Sequence, residues 1–497
     1  MLGDIGKAPT TRLSLCRSRR AIVTQSGWRS TRGADGCAAE RSMTFSRPGI
    51  DWDAVRRCQR LLPVACLLSL FSTHADARDQ LQGVFEGSIA WTDNIRATPD
   101  DPEPGSLVLP ATADVFAVLS PGIVYAVEER DRAFRLGYRY TANLYFEHSE
   151  TNAFANMLDW ESFWILSSRT RLLLAASVTQ SHFHSAGTLA SSSATALNAI
   201  FPGTSPFIMG RAAQTLTLRP WNHWRLMQAA AANVLTPVFA DTEAATTLVA
   251  SNRFGADYFF RHDALGAEIG AEYARVSGRV DPTGFTPGDT QSQIISRALA
   301  RWRSDWGRHF FSHLDAGPVH VYLLERNRHF WNPAGTASLG YTRREGDLSL
   351  TYRRDARTSL FLGQTFLINE VTLRGALPLS EDPEVDFATS AGYQRGRLID
   401  ANGDLATPIR VWLADVSLSW LALDHLRLGL RYQHAQQETD ATRPPLPLSY
   451  VRNTVMATAS FYYPPEREMP RRYRPPLRVD AEDATDDPLI LRDQSEP

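Results

Sequence analysis

From about Leu81 to Tyr463, apolar and polar residues alternate in one segment after another, and the connectors between segments alternate short and long. The clearest segment is Ala133 to Glu147. Phe134, Leu136, Tyr138, Tyr140, Ala142, Leu144 and Phe146 fall on one face, and Arg135, Gly137, Arg139, Thr141, Asn143, Tyr145 and Glu147 on the other. A period of two is the side-chain period of a strand. The same logic sets Leu265, Ala267, Ile269, Ala271 and Tyr273 against Gly266, Glu268, Gly270 and Glu272, and Leu426, Leu428, Leu430 and Tyr432 against Arg427, Gly429, Arg431 and Gln433. A soluble sandwich also alternates. Its solvent faces would carry more Lys and Glu, however, and its strands would be shorter. Many segments here reach the roughly nine to eleven residues that a tilted membrane strand needs.

The connectors decide orientation. Short ones sit around Glu129-Arg130-Asp131, Arg169-Thr170, Trp221-Asn222-His223, Arg261-His262-Asp263, Ser304 to Gly307, Glu345-Gly346 and Asp424-His425. Longer ones span 93–113, 185–210, 279–290, 397–408 and 437–449. Tight turns on one side and long loops on the other describe an outer-membrane barrel, with the short set periplasmic. The fold class expected is therefore all-β: a transmembrane antiparallel β-barrel of about eighteen strands. The count falls to about sixteen if the weak segments near 211–219 and 334–343 are discounted. Trp91, Trp221, Trp224, Trp302, Trp306, Trp331, Trp412, Trp420, Tyr462 and Tyr463 cluster near strand ends, where girdles of amphipathic rings belong.

Composition narrows the class further. A mean hydropathy of -0.26 excludes a bundle of membrane helices but suits a barrel with a polar lumen. A formal net charge of -2 provides no field for nucleic acid. Cys16, Cys37, Cys58 and Cys66 all precede residue 70, so neither a disulfide framework nor a thiolate metal site is expected in the mature chain. Residues 1–42 are Arg- and Ser-rich without periodicity and read as an upstream, disordered extension before Met43. Residues 43–77 form a signal peptide: Arg56, Arg57 and Arg60, the apolar run Leu61 to Phe71, then Ala75-Asp76-Ala77 for cleavage. The barrel is expected over 78–463. A Pro-, Arg- and Asp-rich disordered periplasmic tail, 464–497, follows it. The last strand ends Val455-x-Ala457-x-Ala459-x-Phe461-x-Tyr463, similar to the signal read by the outer-membrane assembly machinery.

An Arg on the lipid face at the bilayer midplane costs about 2–4 kcal/mol, so the charged faces must line the lumen. The inward basic residues are Arg135, Arg139, Arg297, Arg301, Arg303, Arg353, Arg374, Arg427 and Arg431. The inward acids are Glu147, Asp257, Glu268, Glu272, Glu370 and Asp415. Two readings stay open: the guanidinium groups guide an anionic or neutral glycan, or Arg and acid pair across strands to stiffen the wall. Loop 185–210 is nearly uncharged and ends Ile200-Phe201-Pro202-Gly203, then Pro206 to Met209. It either folds inward to narrow the pore or forms a surface flap. His182 and His184 share a face but lack further ligands. Asp400-x-Asn402-Gly403-Asp404 departs from a calcium loop, with Val411 where a Glu is needed. His148-Ser149-Glu150 holds hydrolase residue types, but neighbours in an extended segment point apart. No catalytic residue, metal site or cofactor is expected.

Thr92-Asp93-Asn94-Ile95 closes the first strand, and Leu119-Ser120-Pro121-Gly122-Ile123 lies inside the second. The arrangement resembles the outer-membrane β-barrel porin family found beside exopolysaccharide gene clusters in proteobacteria and myxobacteria. That resemblance rests on Asp93, Asn94, Pro121 and Gly122, together with the layout of the whole mature chain. It implies an outer-membrane barrel that takes part in polysaccharide secretion; the lead reading is then a monomeric channel in the cell outer membrane for polysaccharide export, with a periplasmic export protein as a candidate partner. The alternative is a general or solute-specific porin; a barrel enzyme and a structural or adhesin barrel are the remaining readings.

Overall fold

The computed structural model describes residues 78–99, 110–129, 131–182, 206–238, 246–277, 290–307, 309–343, 346–360, 365–381, 384–399, 405–439 and 449–464. The expected upstream extension and signal peptide, most of the tail, residues 183–205 with His184, and Asp400 to Asp404 lie outside the described residues. Eighteen strands follow one another: β1 (Arg78–Thr92), β2 (Asp114–Glu128), β3 (Arg132–Tyr145), β4 (Ala153–Ser167), β5 (Thr170–His182), β6 (Pro206–Leu218), β7 (Trp224–Pro237), β8 (Thr246–Phe260), β9 (Asp263–Ser277), β10 (Thr290–Trp306), β11 (Phe310–Leu323), β12 (Arg328–Arg343), β13 (Gly346–Thr358), β14 (Thr365–Glu381), β15 (Glu384–Ile399), β16 (Leu405–Leu423), β17 (Leu426–Thr439) and β18 (Tyr450–Tyr463). Each pairs antiparallel with its neighbours in sequence, and β1 pairs with both β2 and β18, which closes the sheet.

Closure is what a membrane demands, because an open sheet edge in hydrocarbon leaves backbone groups without partners. The outer face bears this out. Phe85, Ile89, Leu158, Phe254, Leu265, Ile269, Leu339, Leu350, Leu373 and Leu430 are all exposed. A soluble monomer does not display so continuous an apolar surface. Trp331, Trp221 and Trp306 are exposed near strand ends, at girdle positions. The chain is an outer-membrane β-barrel with its short turns, and both barrel ends, on the periplasmic side.

The count of eighteen holds, because the segments near 211–219 and 334–343 fall largely in full strands, β6 and β12. Three other expectations change in detail. Residues 206–210 belong to β6 rather than to a loop, and Phe207 is buried opposite Ser181 and Pro237. The alternation of short and long connectors also breaks at 324–327, a tight turn at the extracellular side. Glu147 does not line the lumen. β3 ends at Tyr145, and the Asp114 carboxylate accepts the backbone N–H groups of Glu147 and His148 at 3.3 and 3.0 Å, turning the chain into the short 3-10 helix Ser149–Thr151.

Asp93 and Asn94 clamp the closing seam. The backbone N–H and side-chain amide of Asn453 in β18 donate to the Asp93 carboxylate at 2.7 and 2.5 Å. Asn94 is almost fully buried; its amide donates to the carbonyls of Val451 and Thr98 at 2.9 and 2.7 Å, and Thr98 N–H donates back at 3.2 Å. Pro121 faces lipid opposite Phe85, and without an N–H it interrupts the β2–β3 register between Leu119↔Ala142 and Gly122↔Arg139. A Cβ on Gly122 would lie 3.0 Å from the Tyr138 carbonyl, so the residue beside the proline must be small. Asn94→Ala leaves two carbonyls and one N–H of the seam without that partner. At about 1–3 kcal/mol for a stranded buried group, its heat-driven gel-mobility transition is expected several degrees below that of the parent, and an unchanged transition would refute the clamp.

Candidate functional site

The decisive local feature is where the β12–β13 ladder stops. β13 pairs with β12 only from Arg343↔Gly346 to Gly335↔Arg354, but with β14 all the way to Thr358↔Thr365. The extracellular ends of β13 and β14 therefore leave the wall together. Pro333, just beyond the last pair, has no N–H to extend the ladder. Arg354 Nε donates to the Pro333 carbonyl at 3.2 Å instead.

The departing hairpin folds into the lumen. Thr358 Oγ donates to Glu272 at 3.1 Å and accepts from Gln293 Nε2 at 2.9 Å. Glu272 lies on β9, four strands from β13, which is about 19 Å along a sheet with strands 4.7–4.9 Å apart. A threonine side chain cannot cover that distance along the wall, so the strand end itself must cross the interior. Arg297 on β10 donates to Asp355 at 2.8 Å, with Glu272 3.8 Å from the same guanidinium group. The back of the hairpin laps against the inner wall: Ala356 is fully buried in one apolar cluster with Ile295, Val319, Val321, Leu323 and Ala334 from β10 to β12, and Ile399 from the end of β15.

The far side of the hairpin reaches other walls. Leu360 packs with Phe207 and Leu235 of β6 and β7. Phe366 and Ile368 cluster with Ile409, Val411 and Tyr450, joined by Ala97 from the first loop. Beside them Ile95 packs with Ala90, Phe116, Val118 and Tyr145, the Phe116 and Tyr145 rings stacking at 4.9 Å. Hairpin and first loop thus bridge the extracellular half of the lumen.

Below this layer the inward faces carry paired charge. Arg225 donates to Asp257 at 2.7 Å; Arg301 pairs with Glu268 and lies 3.4 Å from Asp315, which meets His313 at 2.6 Å. On the other side of the barrel Arg427 reaches Glu384 and Asp386 at 2.7 and 2.9 Å, and Arg431 reaches Asp415 at 2.6 Å. Arg353 is paired in register with Glu370, and Arg374 with Ser349. Arg303 sits in register with Ala264 and His313. Arg135 lies opposite Glu161, whereas Arg139, opposite Gly122 and Met157, is exposed to the lumen. The structure thus brings Arg297, Arg301, Glu268 and Glu272 into one network, Arg427 and Arg431 into another, and leaves Arg135 and Arg139 apart from both. His148 is turned to Asp114 at 3.2 Å and Glu150 to Arg96 at 3.2 Å, so the hydrolase residue types at 148–150 serve the connector.

Between the hairpin and the β6–β10 wall lies a cavity of about 140 Å³. Arg211, Arg253, Arg297, Arg353 and Arg357 line it beside Glu268 and Glu272, and Ala229, Ala231, Leu360 and Phe366 form its apolar side. Arg211, Arg253, Arg357, Asp355 and Thr358 are absent from the residues that alternation alone singles out. The visible trace of the hairpin was the run Phe366-Leu367-Ile368, three consecutive apolar residues that are all buried. An element covered on both faces reads this way.

Three outcomes follow. Asp355→Asn leaves the Arg297 guanidinium without its nearest carboxylate, a loss of about 3–5 kcal/mol where such a pair is buried. The chain after residue 70 contains no cysteine, so an introduced Ala356→Cys thiol reports on the hairpin. It is expected to resist maleimide in the parent and to react in the Asp355→Asn background; equal reactivity would show that the ion pair does not hold the hairpin. Arg139→Gln is expected to lower anion over cation permeability in reversal-potential measurements. Arg431→Gln is expected to lower thermal stability instead, because it removes the ion pair of Asp415 and leaves that carboxylate only the Gln433 amide, at 2.7 Å, as a side-chain partner among the described residues.

No family model matches the chain, and no curated protein does. Solved structures similar to it are outer-membrane proteins. Pseudomonas aeruginosa OpdK with vanillate is 9% identical at a TM-score of 0.39, covering 77% of this chain and 99% of that one. Acinetobacter baumannii OccAB3 is 9% identical at 0.41, covering 78% and 100%. The siderophore receptor PirA from Acinetobacter baumannii is 8% identical at 0.41, covering 77% and 80%. The description of this chain as a barrel rests on its own closed sheet, and no ligand is taken from these proteins.

Proposed function

We propose that the chain is a gated outer-membrane channel for small solutes, closed by the β13–β14 hairpin. The observation that carries this reading is the hairpin's span, from Thr358 on Glu272 and Gln293 to Leu360 beside Phe207 and Leu235. A wall of eighteen strands is wide enough for an aqueous channel unless something fills it. Here the filling element is hinged at the end of the β12–β13 ladder and held by a few side chains, an arrangement that suits opening. Export of an exopolysaccharide, the reading implied by the family resemblance, needs a continuous bore for a polymer and thus complete withdrawal of the hairpin. Selective passage of a small solute needs only a local displacement, and the solute-porin alternative is the one the geometry favours.

Single-channel recording of residues 78–497 in a planar bilayer tests this. The parent is expected to give small or infrequent steps. The double variant Asp355→Asn/Thr358→Val is expected to give larger or longer openings, since breaking the buried pair alone shifts the balance by about 3–5 kcal/mol. Identical traces from both folded proteins would sink the gate. Steps from the parent large enough to pass a long anionic glycan, and blocked by it, would restore the export reading.

A further inference from the structure

We infer that the outer face of β6 to β8 is an interface with a second copy of this chain, so that two barrels pair about a two-fold axis in the membrane, in place of the monomer expected from the sequence. The pairing is independent of the gate and needs only a barrel surrounded by lipid.

Three amides sit where lipid is expected. On β6, β7 and β8 the odd-numbered residues, Arg211, Ala229, Ala231 and Arg253 among them, line the internal cavity. The even-numbered ones point outward, and Ile208, Leu226, Val234, Leu248 and Phe254 are exposed there as lipid contacts. Gln214, Gln228 and Asn252 belong to the even set. Gln214 and Asn252 are exposed, and Gln228 is half-buried between them. Their depth follows from the register. Gln214 and Asn252 both pair with Ala230, six residues along β7 from the exposed Trp224 at its periplasmic end. At about 3.3 Å per residue and a tilt of about 45°, Ala230 lies about 14 Å inside the Trp224 level, near the middle of an apolar band about 25 Å tall.

The three side chains form a ladder with open ends. Gln214 Nε2 donates to Gln228 Oε1 at 2.9 Å, and Gln228 Nε2 donates to Asn252 Oδ1 at 2.9 Å. Among the described residues these are the only hydrogen bonds of the three side chains. An amide carries two N–H donors and an oxygen with two lone pairs. The ladder therefore ends in a free carbonyl oxygen at Gln214 and a free NH2 group at Asn252. Turning all three amides over only exchanges the two ends. Hydrocarbon satisfies neither.

Whatever covers the ladder must lie in the membrane and present a donor at one end and an acceptor at the other. A second copy does both at once. A two-fold axis along the membrane normal, passing close to β7, reverses the direction of the ladder around the barrel. The carbonyl end of one chain is thereby turned toward the NH2 end of the other. Such an interface uses one patch twice and closes at two. The surrounding surface lets the walls approach. Ala176, Ala212, Ala232 and Ala250 pair in a single row across β5 to β8, next to Ala230 and the ladder. Small side chains let membrane segments come close enough for polar groups to meet, as they do between membrane helices.

Cysteine cross-linking in liposomes tests the pairing, with the chain from Arg78 onward, which holds all eighteen strands and no cysteine. Folding is checked by heat-dependent gel mobility. Ala230→Cys places a thiol near the axis, and Leu350→Cys places one on the exposed outer face of β13 as a control. Oxidation is expected to convert Ala230→Cys to a covalent dimer at low protein density and to leave Leu350→Cys monomeric. The triple variant Gln214→Leu/Gln228→Leu/Asn252→Leu removes the whole ladder and strands no polar group. Its dimer dissociation constant, read by sedimentation equilibrium in detergent, is expected to rise about tenfold, the factor that loss of two hydrogen bonds between membrane segments gives. Equal cross-linking at both positions would mean random collision and overturn the interface, as would a folded parent that sediments only as a monomer. Cross-linked products larger than a dimer would overturn the two-fold. An unchanged dissociation constant in the triple variant would overturn the role of the amides. With a photo-crosslinker on the Ala230→Cys thiol in outer-membrane preparations, capture of a different protein in place of a second copy would overturn the choice of partner.

Discussion

A chain in lipid must satisfy every backbone donor and acceptor within itself, and the rest of this structure depends on that requirement. It forces the sheet to close on itself and makes the β1–β18 seam the critical joint. It also sorts the side chains, because a charge on the outer face costs kilocalories while the same charge inside finds partners. The seam is accordingly reinforced by polar side chains rather than by apolar ones. Asp93 grips Asn453, and buried Asn94 ties the first loop to the Val451 carbonyl.

The ladder between β12 and β13 is where the requirement is met differently. Beyond Gly335↔Arg354 the wall gives up strand pairing and overlaps itself. Lost hydrogen bonds are individually worth about 1 kcal/mol net. Burying a large apolar side chain returns about 1.5–3 kcal/mol. With Ala356, Leu367, Phe366, Ile368 and Ile399 all buried by the fold-over, the exchange is favourable. The polar tether of Arg297, Asp355, Glu272, Thr358 and Gln293 then fixes where the hairpin comes to rest. Apolar packing supplies most of the affinity of hairpin for wall, and the tether supplies the position; a change in the tether alone can therefore move the equilibrium without unfolding the barrel.

The inward charges serve two purposes that only their partners separate. Arg427 and Arg431 are committed to neighbouring carboxylates and brace the wall, as are Arg225 and Arg301. Around the cavity, Arg297, Arg357, Arg253 and Arg353 converge on Asp355 at the hairpin instead. The same residue type at the same period thus yields neighbouring-strand pairs in one arc of the barrel and a tether for the inward hairpin in another.

The class of fold, the count of about eighteen strands and the periplasmic placement of short turns were legible in the sequence, because each follows from a period of two and from local turn chemistry. The inward positions of Arg135, Arg139, Arg297, Arg353 and Arg431 follow from the same period. Partner choice was not legible. Whether Arg297 meets a neighbour or Asp355 three strands away depends on where β13 leaves the wall, and alternation has nothing to say about that. Loop 185–210, read as a candidate inward element because it is long and apolar, lies mostly outside the described residues; the ends of β13 and β14 form an inward hairpin where length is unremarkable and the sign is apolar residues on both faces of a strand. Local periodicity decides which way a side chain points. Only the closed and overlapping sheet decides what it meets there, because those meetings join residues separated by several strands and set by the curvature of the whole barrel.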